Sequence, residues 1–251
     1  MHFLTAAHCI LGYTGNGTVT FQALDGSMLT YNTVSMVWHP DFNPGNYFAG
    51  HDIGIITLSE IVDSRIGRLD LYTGSGELNQ VGTVIGWGRP GTGLTGGAAN
   101  GFGQMRREGQ NTVDAIIGNN NILLYDFDNP NSTTNSSLGS NQALPREVLI
   151  FRGDSGGPTL INGQIAGVHS FITCINGGAP VCSTPPDLDG ALNGTYGERF
   201  GDTRVSLYAA WIQQQVQMPL SDSFTPVPEP STYVAGLVAF AAIWWRRRKR
   251  G

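Results

Sequence analysis

The sequence predicts an all-β protein, a barrel or a sandwich, and three observations predict it. Glycine supplies 35 of the 251 residues while charged residues make up only 13%, which favours turns, short strands and long loops over charged surface helices. Short apolar runs alternate with turn residues along most of the chain. Only two segments read as helical, and both lie towards the C-terminus.

The elements follow in order. TVTFQAL (18–24), YNTVSMVW (31–38), DIGIITL (52–58), GTVIGWG (82–88), ILLYDF (122–127), TLING (159–163) and IAGVHSFI (165–172) are short apolar runs bounded by turn residues, and predict strands. VSLYAAWIQQQVQM (205–218) predicts a helix that closes the main body. Residues 88–103, 126–141 and 175–201 are rich in Gly, Pro, Ser and Asn and predict surface loops. The first of these lacks the Gly-Lys-Ser/Thr ending and the following helix of a phosphate loop. DFDN and DLDG lack the continuing ligand spacing of an EF-hand and read as turns.

The tail differs in kind. PLSDSFTPVPEPS (219–231) is a Pro/Ser linker expected to be extended. TYVAGLVAFAAIWW (232–245) is uncharged and apolar, and RRRKRG follows it. An apolar run before a basic cluster reads as a membrane span with a cytoplasmic C-terminus. It is short against the roughly 17–25 residues of a straight span, and snorkelling arginines with interfacial tryptophans make up part of the difference. A core helix is the alternative, disfavoured because no polar face interrupts the run.

Charge and cysteine content narrow the function. Before Arg246 there are nine basic and 19 acidic residues, a net of −10, which makes this part a poor candidate for nucleic-acid binding, since phosphate contacts need clustered cations. Of the three cysteines, Cys174 and Cys182 are near enough in sequence to close a small loop, leaving Cys9 unpaired or as a buried free thiol. MHFLTAAHCIL lacks the basic start and long apolar core of a secretory signal, which alone would point to the cytosol; the tail points the other way.

Three motifs carry chemistry: TAAHC with His8, HDIGIITL with Asp52, and FRGDSGGPTL with Ser155. A serine hydroxyl is a weak nucleophile until a neutral imidazole takes its proton, and a buried carboxylate fixes that imidazole's tautomer. The glycines of GDSGG let the backbone turn sharply and present N–H groups to a developing oxyanion. His2, His39, His51 and His169 sit in no such motif and read as surface or core residues. Nothing in the sequence asks for a metal or cofactor.

The order His, Asp, Ser within TAAHC, DIGIITL and GDSGGP resembles the trypsin/chymotrypsin family of serine proteases. GWG (86–88), IAGVHS ending at Ser170, and VSLYAAWI are collinear with further segments of that family. The resemblance spans residues 1–217 and implies two antiparallel Greek-key β-barrels. It implies His8 as general base and acid, Asp52 as its orienting partner and Ser155 as nucleophile. The N–H groups of Gly153 and Ser155 would form the oxyanion hole, Ser170 would lie behind the triad near Asp52, and Arg152, Phe171 and Ile172 would run along the bound peptide. Leu149 would form the base of the primary pocket, where no carboxylate awaits a basic side chain. With Ile172 narrowing that pocket, cleavage is expected after small or medium apolar residues. Phe151 stands where the family has a cysteine.

The same resemblance implies an upstream strand carrying a partner for Cys9, and a freed N-terminal amine paired with Asp154. The sequence has neither, so the chain is expected to be N-terminally truncated, its first barrel short of its opening strands and its activity as it stands dependent on what is missing. VPEPST, the apolar run and RRRKR are similar to the PEP-CTERM sorting signal of Gram-negative bacteria, with Pro228, Glu229 and Pro230 matching its motif and an exosortase-type enzyme as the implied partner; a plain membrane anchor is the alternative. The expected organisation is a partial barrel over 1–78, a second barrel and closing helix over 79–218, the linker over 219–231, and the span with its basic tail over 232–251. The whole predicts an exported serine endopeptidase acting on proteins or peptides, against a non-catalytic protease-like binding module or an inactive fragment. Its activity is expected to fall as His8 protonates near an unperturbed pKa of about 6.5.

Overall fold

Period-two side-chain alternation and buried apolar runs set the first sheet. The computed structural model describes residues 1–13, 16–98, 105–174 and 182–216; the linker, Pro228, Glu229, Pro230, the apolar run and the basic cluster lie outside the described residues. Strand β1 (His2–Thr5) leads into a one-turn helix, α1 (Ala7–Ile10), which the sequence did not announce. β2 (Thr18–Gln22), β3 (Met28–Trp38) and β4 (Gly54–Leu58) complete an antiparallel sheet in the order β1-β4-β3-β2. β4 is central, and Ile53, Ile55, Ile56 and Leu58 are buried, which is why this stretch reads as a continuous apolar run. β1 and β3 flank it with Leu4 and Val37 both opposite Ile55.

The second sheet comprises β5 (Val81–Gly86), β8 (Arg107–Thr112), β9 (Ala115–Ile117), β10 (Ile122–Asp126), β11 (Pro158–Ile161), β12 (Gln164–Thr173) and β13 (Arg199–Arg204). Its order is β8-β5-β11-β12-β13-β10-β9, and the chain ends its described part in helix α2 (Val205–Val216). Between β5 and β8, a minimal pair β6 (Gly91–Thr92) and β7 (Gly96–Gly97) gives the glycine-rich loop a paired core. β11 turns into β12 through Asn162 and Gly163, both at positive φ, the backbone that a two-residue hairpin turn requires. The core of this sheet gathers Val84, Val113, Leu123, Tyr125, Ile150, Ile161, Ala166 and Phe200, with the Tyr125 and Phe200 rings stacked at 4.3 Å. Burying one such large side chain contributes about 1.5–3 kcal/mol. Among the described residues no helix is long and apolar enough to cross a membrane.

All seven runs read as strands form strands, and the closing helix is present to Val216. β8 and β13 are the notable additions, because REGQNT and RFGDTR carry too little apolar character to signal a strand. Their more buried polar groups are satisfied internally. Asn111 Nδ2 donates to the carbonyls of Asp126 and Val148; Arg199 binds Ser137, Asp202 binds His169, and Arg204 binds Glu77.

The polar segment 126–141, expected at the surface, is exposed over much of its length, but Asp126, Asp128, Asn129 and Asn135 are buried. Asp126 Oδ2 accepts N–H bonds from Ser137 and Leu138 at 2.6 and 2.7 Å, and Asn135 Nδ2 donates to Pro186 O at 2.8 Å. Hydrogen bonds to the segment's own backbone replace those to water, so polarity does not oppose burial.

The crowding of carboxyls there has a pH signature. Burial, followed by the Asp126 charge, pushes Asp114 up to about 8. Burial likewise raises Glu147 to about 7 and Asp128 to about 6. An acid raised on folding contributes stability that is complete below its unfolded value, near 4, and is lost as pH climbs through the folded value. Urea unfolding should therefore show Asp114→Asn gaining on wild type as pH rises from 5 to 8, because the amide keeps an acceptor for Asp126 N–H without the charge. Equal midpoint differences at both pH values would count against this assignment.

Candidate active site

Sheet register brings His8 and Asp52 together. β1 ends with Thr5 opposite Gly54 at the start of β4. His8 lies three residues beyond that pair, on α1, and Asp52 two residues before it. Asp52 is fully buried and its carboxylate is saturated. Oδ1 accepts the backbone N–H of His8 at 2.8 Å, and Oδ2 accepts from His8 Nδ1 at 2.7 Å and from Ser170 Oγ at 2.5 Å. The backbone carbonyl of Asp52 accepts Thr203 Oγ at 2.9 Å. His51, immediately before it, sits at φ +67°, a left-handed backbone uncommon for a residue with a Cβ. Every group that could rotate the carboxylate is thus tied down.

This arrangement moves the titration of His8. Burial pulls it down, but the hydrogen bond to Asp52 and the adjoining Cys9 outweigh burial and raise it from 6.5 to about 10. The buried Asp52 carboxylate favours the protonated ring, so the midpoint lies above the 6.5 expected from sequence.

Ser155 lies exposed on the turn that precedes β11. Gly153 takes φ +97° there, which lets the chain reverse. The N–H groups of Asp154, Gly156 and Gly157 donate to the carbonyls of Phe151, His169 and Asp154. Those of Gly153 and Ser155 have no acceptor among the described residues. Gly156 packs on the His8 turn so closely that a Cβ would meet Thr5 Oγ1 and, at 3.1 Å, Ala6 N. The serine turn and the imidazole turn therefore abut, although Ser155 Oγ makes no hydrogen bond to His8 among the described residues; such bonds tighten on substrate binding.

Asp154 has backbone partners where the family resemblance implied an amine. Its Oδ1 accepts Gly88 N–H at 2.5 Å and its Oδ2 accepts Phe151 N–H at 2.8 Å. A Cβ at Gly86 or Gly88 would strike this carboxylate, which accounts for both glycines of GWG. Phe151 in turn lies against Gly97 and Gly194.

The remaining predicted residues fall around these turns. Leu149 and Ile172 are half-buried and pack on one core cluster with Tyr125 and Phe200. Phe171 packs on Phe48 at 4.8 Å and on Tyr47 at 6.5 Å. Arg152 is exposed, and its carbonyl accepts Arg89 N–H at 3.0 Å. Cys174 and Cys182 form the disulfide, and Cys9 is a free thiol.

Several contributors escaped the sequence reading. Tyr47, on a short 3-10 turn, sets its ring edge-on to His8 at 5.7 Å. His169 is fully buried, with Nδ1 2.9 Å from Asp202 Oδ1 and Nε2 3.2 Å from Ile85 O. Both neighbours offer acceptor oxygens, an arrangement that favours the protonated ring. Burial lowers its pKa, but Asp202 more than reverses this. Thr159 Oγ1 completes the cluster with a 2.6 Å bond to Asp202 Oδ2. This buried pair braces the backbone that bonds Gly156 and Gly157. The only trace of it in sequence is a histidine within an apolar strand.

The fold is similar to the atomic-resolution structure of HBP, with a TM-score of 0.57, 20% identity, and coverage of 87% of this chain and 82% of that one. The class is that of the trypsin-like serine proteases. The family model described as Trypsin matches residues 2–187, and the chain belongs to the trypsin family. It is 26% identical over 235 residues to chymotrypsin-like elastase family member 1 of Bos taurus, covering 85% of this chain and 74% of that protein. The Rattus norvegicus counterpart is 25% identical over 229 residues with the same coverage.

Proposed function

We propose that the protein is a serine endopeptidase in which Ser155 is the nucleophile, His8 the general base and acid, and Asp52 its orienting partner. The observation that carries this reading is the saturated, buried Asp52 carboxylate holding His8 Nδ1, with the GDSGG turn packed on the residues just before His8. Nδ1 keeps its proton on Asp52, so Nε2 is the nitrogen that takes the Ser155 proton as Oγ attacks the peptide carbonyl. The N–H groups of Gly153 and Ser155, without an acceptor among the described residues, receive the oxyanion. His8 then protonates the leaving amine. The Ser155 acyl-enzyme forms, and water activated by His8 releases the acid. Leu149 and Ile172 supply an apolar primary pocket, with Ser170, Phe171 and Arg152 along the substrate. We read the two sheets as the two barrels of the family, divided near residue 78. Export and sorting through Pro228, Glu229 and Pro230, with residues 232–245 as a span, belong to the same reading, and the Cys174–Cys182 disulfide agrees with an oxidising compartment.

A fluorophosphonate probe tests the chemistry. Wild type should be labelled and Ser155→Ala should not, with peptide substrates cleaved after Ala, Val or Leu in preference to Arg or Lys. Equal labelling of the two proteins, or none of either, would leave a non-catalytic protease-like module as the better description.

A further inference from the structure

A second cluster of chemistry-bearing side chains includes the residue next to Asp52. His39 follows β3 and Asp41 follows it by two residues; His51 precedes Asp52. One ligand atom from each of these three residues lies within 4.8 Å of the other two. The His39 and His51 rings are stacked with centroids 5.0 Å apart, and His39 Nδ1 is 3.9 Å from Asp41 Oδ2.

The surroundings hold the two rings in place. Tyr208, on α2, packs against both, at 5.1 Å from His39 and 5.8 Å from His51, and Trp211 packs against His39 at 5.2 Å. The Tyr208 hydroxyl accepts His51 N–H at 3.1 Å and lies 3.0 Å from His51 Nδ1. An oxygen partner on one ring nitrogen is what orients a histidine that ligates metal through the other. The His39 backbone N–H donates to Ile53 O at 3.0 Å, so the two histidines are anchored to the same strand end. The Asp41 side chain is 71% exposed, which leaves it free to swing and leaves the cluster open to solvent for ion entry and a water ligand.

We propose that His39, Asp41 and His51 form a binding site for a divalent transition-metal ion of the zinc class, and that its occupancy acts on the Asp52 turn. Two imidazoles and one carboxylate, with an open fourth position, suit Zn²⁺ rather than Ca²⁺ or Mg²⁺, which prefer oxygen ligands. Ligand atoms around a tetrahedral Zn²⁺ stand about 3.4 Å apart, and His39 Nδ1 and Asp41 Oδ2 are 3.9 Å apart. Binding therefore draws that imidazole and carboxylate together and fixes the His51 ring beside them. His51 is already at φ +67° and is peptide-bonded to Asp52, so that movement is passed to the carboxylate holding His8.

The binding claim does not depend on the protein being a peptidase; the effect on turnover rests on that reading. Calorimetric titration of Zn²⁺ into the full chain should show one saturable site, with Ca²⁺ showing none. Affinity should fall at least tenfold in His39→Gln and in Asp41→Asn, and be unchanged in His8→Gln, which removes the other imidazole beside a carboxylate. Asp41 is exposed enough that its variant reads binding rather than folding. No saturable binding, or loss in His8→Gln with retention in His39→Gln, overturns the site. Zn²⁺ should also lower wild-type turnover severalfold while leaving His39→Gln unaffected, and equal inhibition of both overturns the coupling. If wild type shows no turnover at all, the peptidase reading fails while the calorimetry still decides the site.

Discussion

Asp52→Asn is expected to lower kcat by about 10⁴-fold, equivalent to about 5.5 kcal/mol of transition-state stabilisation. The amide cannot hold His8 in the tautomer that keeps the proton on Nδ1. It also removes the buried counter-ion that lifts His8 to about 10. The two effects separate in the pH profile. A base works only when neutral, so raising its pKa moves the rising limb of kcat/KM to higher pH. The wild-type limb should therefore rise at a pH above 6.5, the ordinary histidine value. In Asp52→Asn the residual activity should reach its plateau at lower pH, because nothing opposes the burial of His8. A variant with near-native turnover, or one whose rising limb bends at the same pH as wild type, would sink the assignment of Asp52 to His8.

The largest stability effect is expected at Glu77. Its side chain is fully buried and meets Arg204 in a two-pronged pair, Nε to Oε1 at 2.9 Å and Nη2 to Oε2 at 2.8 Å, with Ser206 Oγ donating to Oε1 at 2.6 Å. The pair ties the segment joining the two sheets to the end of β13 and the first turn of α2. Glu77→Gln leaves the guanidinium buried without its counter-charge, a loss of about 3–5 kcal/mol, or roughly 10 °C in thermal midpoint for a domain of this size. Replacing both partners with leucine should cost less than either single change, since no charge is then stranded. Burial pushes Glu77 up, but Arg204 and Ser206 outweigh it and hold its pKa below the usual value. Stability from such an acid is present above the unfolded value near 4.5 and is lost as pH falls through the folded one. The gap between wild type and Glu77→Gln should therefore shrink below pH 4.5 in urea melts. A gap of under 1 kcal/mol at pH 7, or one that is constant with pH, would contradict this account.

How much of this was legible in advance varied with the kind of interaction. Strands with apolar alternation, such as Thr18–Gln22, or with an apolar run, such as Gly54–Leu58, announced themselves because their burial is hydrophobic. β13 did not, since Asp202 and Arg204 are buried, and Arg199 half-buried, by pairing with residues 33, 127 and 62 positions away in sequence. Local pattern carries no trace of such partners. The same holds for residues 126–141, whose side chains bond to their own and neighbouring backbone instead of to water.

By itself the sequence determined the family, the apolar strands of both sheets, the closing helix, and the three motifs around His8, Asp52 and Ser155. These are local properties: periodicity, turn chemistry and the residue types an acyl transfer needs. Tertiary structure alone decided that Asp154 is held by the N–H groups of Gly88 and Phe151, that His169 is buried against Asp202, and that Asp52 raises the titration of His8. The physical reason is that a carboxylate's effect on its neighbour depends on burial and distance. Both are fixed only when strands remote in sequence, such as β1 and β4, come into register.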